Sequence, residues 1–129
     1  MMQTQPPVIL ATDDKRLQHK MERLFSGNAV EMHIVDTAEG VATILMTSLV
    51  RCSDLQHYVF VDLDAKQFNG YDLARDVKEE YPAVHIIGAA FGTEPTIIQK
   101  AKIHRIDSLL QRFAMEKLLK TMAENIQQD

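Results

Sequence analysis

Tyr58-Val59-Phe60-Val61-Asp62-Leu63-Asp64, followed by a loop ending at Asn69-Gly70, is the stretch that decides the fold. Its β-branched and aromatic run reads as a buried strand that stops at the two aspartates. Leu73, Ala74, Val77 and Tyr81 then mark a helix halted by Pro82. Working outward, Val84 to Ala90 reads as another buried strand, and Pro95 suits the start of the next helix. A brief strand follows around Asp107 to Leu110, and Met115, Leu118, Leu119, Met122 and Ile126 stripe a last helix. Toward the N-terminus, Val8-Ile9-Leu10-Ala11 is an apolar run ending in Thr12-Asp13-Asp14. Leu17, Met21, Leu24 and Phe25 recur at helical spacing up to Gly27. Val30 to Val35 reads as a strand, and Val41, Ile44, Leu45, Ser48 and Leu49 line a helix that gives way to a polar connection around Cys52 to Gln56.

Five strands thus alternate with five helices. Alternation with short connections implies parallel strands, right-handed crossovers and helices on both faces of the sheet. The expected fold is an α/β, flavodoxin-like three-layer sandwich with strand order 2-1-3-4-5, in a single domain over residues 1–129 with a tail at 1–7. In that order the first and third strands are neighbours. Their carboxyl ends bring Asp13 and Asp14 toward Asp62 and Asp64 at the switch point where ligands of such sheets bind.

Composition narrows the chemistry. The 129 residues are 46% hydrophobic and 25% charged, ordinary globular values. Fourteen Lys and Arg against 18 Asp and Glu give a formal charge of -4, so no electrostatic footprint for nucleic acid or an anionic membrane is expected. The lone Cys52 excludes an internal disulfide, and no apolar run approaches the roughly 18 residues of a membrane helix. The expected location is cytoplasmic. Clustered carboxylates repel one another unless a cation joins them, and their hard oxygens suit Mg²⁺; the competing reading is solvated loop acids that cap and turn the chain.

The segment from Asp62 to Gly70, between strand and helix, resembles the phosphoacceptor segment of response-regulator receiver domains of the chemotaxis type. That family has an aspartate ending the third strand and a glycine eight positions on, usually after Asp or Asn; Asp62, Asn69 and Gly70 match. The resemblance extends along the chain through Asp13-Asp14, Gly40, Ala90, Gly92 and Phe113. It implies phosphorylation of Asp62 by a histidine kinase, with Mg²⁺ held by Asp62 and the acids after the first strand, and Asp64 nearby. The family's acid pair falls either on Asp13-Asp14 or on Thr12-Asp13 with Asp14 behind it. The second register keeps Leu17, Met21 and Leu24 on the family's buried positions, and is preferred; Asp13 is then the direct ligand and Thr12 replaces the outer acid.

Three departures stand against this likeness. Ala89 occupies the place of the family's switch Thr or Ser, whose hydroxyl bonds the phosphoryl group. The family's Lys-Pro pair after the fifth strand reads Gln111-Arg112, and without proline a cis bond would cost about 2.5–4 kcal/mol, so a trans bond is expected. Lys66 stands for the usual proline and Ser108 for the switch aromatic. Lys66 and Arg112 could each swing over the site as a substitute cation, but the preferred reading makes both solvated loop cations. Gln111 can donate a hydrogen bond but brings no charge, so an acyl phosphate would be poorly stabilised.

The resulting expectation is an atypical receiver of a two-component phosphorelay, not an enzyme, that works as a protein-interaction module with weak or lost phosphorylation and weak Mg²⁺ binding. The alternative is a conventional phospho-switch. A nucleotide-binding enzyme of the same topology needs a glycine-rich phosphate loop where Thr12-Asp13-Asp14-Lys15 is acidic. Expected partners are a sensor histidine kinase or another signalling protein, with a homodimer through the face of the fourth helix, fifth strand and fifth helix. That face offers Ile97, Ile98, Lys102, Arg105, Lys117 and Lys120. His85 is expected to pack within its strand, and the remaining histidines carry no motif.

Overall fold

In the computed structural model, residues 6–27 and 30–128 are described, with side chains described to residue 124. Of the expected tail at 1–7, only Pro6 and Pro7 fall within them, and the side chain of Ile126 falls outside. The elements run β1 (Val8–Ala11), α1 (Lys15–Phe25), β2 (Met32–Val35), α2 (Ala38–Arg51), β3 (Tyr58–Asp62), α3 (Gly70–Glu80), β4 (His85–Ala90), α4 (Pro95–Ile103), β5 (Ser108–Gln111) and α5 (Arg112–Gln128). All pairings are parallel and the order is β2-β1-β3-β4-β5. The expected doubly wound sandwich is therefore present.

Strand periodicity sorts the core into two layers. Ile9, Ala11, Val59, Val61 and Ile86 face one way, onto Val41 and Leu45 of α2, Leu73, Ala74 and Val77 of α3, and Ala101 of α4. Val8, Leu10, Phe60, Ile87 and Ala89 face the other, onto Leu17, Met21 and Phe25 of α1 and Met115, Leu119 and Ala123 of α5. Coverage on both faces explains why β1 and most of β3 are continuous apolar runs. Each large side chain so buried contributes about 1.5–3 kcal/mol.

Local chemistry sets the element boundaries. Asp14, Thr37 and Asn69 cap α1, α2 and α3 by accepting backbone N–H bonds with their side chains. Pro95 opens α4, and α3 ends before Pro82, which disfavours helix at the residue preceding it. Gly27 takes φ +78°, the left-handed region that lets the chain leave α1. Two differences from expectation are local: β2 begins at Met32 rather than Val30, and β5 starts at Ser108. Asp107 instead accepts the Ile86 amide at 2.7 Å and the Lys78 ammonium at 2.8 Å, which ties the start of β5 to β4 and α3.

At the amino end of β3, His57 is buried and bridges two elements. Its Nε2 lies 2.7 Å from the Ser48 hydroxyl of α2, and its Nδ1 lies 3.0 Å from the Leu55 carbonyl oxygen. Ser48 sat on an otherwise apolar stripe, the signal that a buried partner was needed. His85 packs as expected: it tilts against the Tyr58 ring and meets the Ser108 hydroxyl at 2.9 Å.

Candidate acidic cleft

The carboxyl ends of β1 and β3 lie side by side, Ala11 beside Val61, so the residues that follow them share one cleft. Asp62 is its floor. It is 1% exposed and pairs in register with Ala89 of β4, whose methyl group is fully buried. The Thr12 hydroxyl donates to Asp62 Oδ2 at 2.7 Å, and the Asp64 amide donates to Oδ1 at 3.0 Å. Thr12 therefore stands in direct contact with Asp62, where the preferred register puts the replaced outer acid.

Gly70 has a steric reason to be glycine. A Cβ there would come within 2.5 Å of the Asp62 carbonyl oxygen and 3.1 Å of Leu63 Cα, neither of which can yield easily. Asn69 beside it caps α3 through the Asp72 amide. The Asn-Gly pair thus lets α3 begin directly against the strand end that carries Asp62.

The other acids are committed to the protein itself. Asp13 Oδ2 accepts the Lys66 and Gln67 amides at 2.9 and 2.6 Å, fastening the β3–α3 loop. Asp64 Oδ2 accepts the Phe91 amide at 2.7 Å, fastening the β4–α4 loop. Asp14 Oδ1 accepts the Arg16 and Leu17 amides, while Oδ2 faces a guanidinium.

That guanidinium belongs to Arg112 and corrects the expectation of a solvated loop cation. Its Nη2 donates to Asp14 Oδ2 at 2.6 Å, and its Nη1 lies 3.5 Å from Asp62 Oδ1. The side chain is only 8% exposed, and its Cζ stands 5.2 Å from the centre of the Phe91 ring. Nε is buried with no hydrogen-bond partner among the described residues. An orphaned buried donor costs about 1–3 kcal/mol, a penalty the two ion pairs offset. Gln111, one residue earlier, is exposed at the end of β5, and the described residues contain no cis peptide bond. Arginine at the first position of α5 thus enters the cleft while its neighbour points away. Lys66 stays exposed and brings only its backbone amide to the acids. Ser108 lies at the far end of β5, paired with Ile87.

Electrostatics follow these contacts. Burial pushes the Asp14 carboxyl up, but the Leu17 amide, the Arg112 charge and the Arg16 amide together outweigh it and hold Asp14 below its usual value. Burial pushes the Tyr71 phenol up, and the Asp64 charge adds to the rise.

The residues do not fit the Mg²⁺ site that the resemblance implies. No three His, Cys, Asp or Glu side chains among the described residues gather as a metal-ligand set. Asp13 and Asp64 hold separate loops, and a guanidinium covers the approach that Asp14 and Asp62 would share. The expected ligands Asp13, Asp14, Asp62 and Asp64 border one cleft, and among the described residues no three of them gather at one point. Of the expected partner face, Ile97 packs half-buried against the core. Ile98, Lys102, Arg105, Lys117 and Lys120 are exposed, and Ile103 and Leu118 add apolar surface. None of the described helices is long and apolar enough to cross a membrane.

No family model and no curated protein matches the sequence. Solved structures do. The Vibrio cholerae chemotaxis protein CheY4 is 16% identical with a TM-score of 0.66, over 94% of this chain and 98% of that one. The BeF3-activated receiver domain of DrrB from Thermotoga maritima is 17% identical with a TM-score of 0.65, over 100% of both chains. The Mn²⁺-bound response regulator Rcp1 is 12% identical with a TM-score of 0.61, over 95% and 91%. Strand order, helix placement and these whole-length superpositions agree: the fold of this chain is the CheY-like fold of response-regulator receiver domains.

Proposed function

We propose that the chain is an atypical receiver of two-component signalling that acts as a protein-interaction module, with phosphorylation of Asp62 weak or lost. The observation that carries this reading is the Arg112 guanidinium paired to both Asp14 and Asp62. An incoming phosphoryl group would have to displace that pairing, and Ala89 opposite Asp62 offers no hydroxyl to receive it. Acids that hold both neighbouring loops keep the cleft in one arrangement without a ligand. The working surface is then the exterior of α4, β5 and α5, which exposes Lys102, Arg105, Lys117 and Lys120 together with Ile98, Ile103 and Leu118. A charged rim around apolar residues suits a signalling protein or a second copy of this chain. The module would act in the cytoplasm.

The test is incubation with acetyl phosphate and Mg²⁺, read by intact mass. Little phosphorylated species is expected. A stoichiometric phosphoryl adduct that vanishes in Asp62→Asn would establish the conventional phospho-switch instead.

A further inference from the structure

A cleft that places two carboxylates on one guanidinium is already supplied with a cation. Nη2 of Arg112 meets Asp14 at 2.6 Å and Nη1 meets Asp62 at 3.5 Å, so one side chain bridges the acids that follow β1 and end β3. Lysine delivers its charge at a single nitrogen, whereas the planar guanidinium presents separate donors to the two acids. The bridge is well held. Arg112 begins α5, is almost wholly buried, and has the Phe91 ring beside it, while the Phe91 amide is anchored on Asp64.

We propose that Arg112 is the resident cation of this cleft, standing in the place of a divalent metal: the wild-type protein does not take up Mg²⁺ or Mn²⁺ there, and removing the guanidinium opens a divalent-cation site on Asp14 and Asp62. Two charges cannot share the space. A divalent ion between these carboxylates would sit at ion-pair distance from the guanidinium, and the burial of Asp62 and Arg112 limits how far water screens that repulsion. Without Arg112, the two carboxylates that now meet its two terminal nitrogens lose that countercharge, and carboxylate oxygens are the donor type that Mg²⁺ and Mn²⁺ prefer. The countercharge at Asp14 and Asp62 is then supplied by the chain rather than by the ions around it.

This inference rests on the position of Arg112 and not on whether Asp62 accepts a phosphoryl group, so it can fail while the proposed function stands. The test is a Mn²⁺ titration followed by the electron paramagnetic resonance of free Mn²⁺, alongside melting temperatures with and without Mg²⁺. The proteins are the wild type, Arg112→Ala, Arg112→Gln, and Arg112→Gln combined with Asp62→Asn. Arg112→Gln keeps a polar side chain of similar length and serves if Arg112→Ala does not fold. The expected result is Mn²⁺ binding at least about tenfold tighter in the folded Arg112 variants than in the wild type, lost again in the double variant. Mg²⁺ should raise the melting temperature of those variants and leave the wild type unmoved. Equal affinity in the wild type and Arg112→Gln, whether measurable or undetectable in both, would overturn the proposal, as would tighter binding that survives Asp62→Asn.

Discussion

The acidic cleft and the outer face of α4 and α5 use charge in opposite ways. In the cleft, Asp13, Asp14, Asp62 and Asp64 each accept hydrogen bonds from named groups of the same chain, and the buried Arg112 lies across two of them. On the outer face, Lys102, Arg105, Lys117 and Lys120 are exposed and enter none of the ion pairs among the described residues, where α5 contributes Glu116 to Lys20 and Arg112 to the acids. Ile103 stands 70% exposed between such charges. Charge in the cleft is committed to partners within the chain and so becomes structure. Charge on the outer face is left for water or for a partner. The difference suggests where a receiver-like fold keeps its use when its phosphorylation chemistry is dismantled.

The contrast can be broken most forcefully at Arg112. Arg112→Met fills similar space but removes the countercharge of Asp14 and Asp62, and because Asp62 is buried while Asp14 is 39% exposed the loss should be about 2–4 kcal/mol, below that of a wholly buried pair. Urea denaturation should register a loss of that size; a change below about 1 kcal/mol would mean that the pair is loosely held. Gly70→Ala strikes the same cleft through sterics. Its Cβ meets backbone rather than a flexible side-chain end, and the overpacking should cost about 1–3 kcal/mol in the same measurement. The outer face supplies the smallest effect. Lys102→Glu with Arg105→Glu should alter stability by no more than about 0.5 kcal/mol, since neither residue is paired or buried, while weakening self-association or partner binding in sedimentation. Large destabilisation by this double change would show that the outer face is structural after all.

Much of this architecture was legible because its causes are local. The runs Val8–Ala11 and Tyr58–Val61 announced strands covered on both faces, and Pro82, Pro95 and Gly27 marked boundaries that the backbone obeys. Asp62 was legible as the end of a β run, whereas Gly70 eight residues later stood out through the family resemblance, and the close approach of α3 to that strand end supplies its physical reason. Arg112 was not legible. Which of two consecutive residues at the β5–α5 junction turns inward depends on the orientation of a single peptide, and neither composition nor period encodes it. A long side chain then reaches acids that lie far away in sequence. The roles of Asp13 and Asp64 were hidden similarly, because their partners are backbone amides of loops whose path only the folded chain defines. Ile97 and Ile98 show the limit of helical spacing: adjacent isoleucines had to divide between core and surface, and the short α4 pattern did not say which.

The bridge between Asp14 and Arg112 spans 98 residues, and that between Lys20 and Glu116 spans 96. Both connect the first helix to the last, so neither can form before nearly the whole chain is in place. Closing so large a loop is entropically costly, and the reward comes only once α5 docks. In kinetic terms, the cation reaches the cleft after the strands that build it, and a chain still short of residue 112 holds its acids uncompensated. Interactions absent from the folding transition state act on the rate of unfolding rather than of folding. The Arg112 bridge then works as a latch on the finished molecule, and Arg112→Met should steepen its loss through faster unfolding while leaving its assembly nearly as fast.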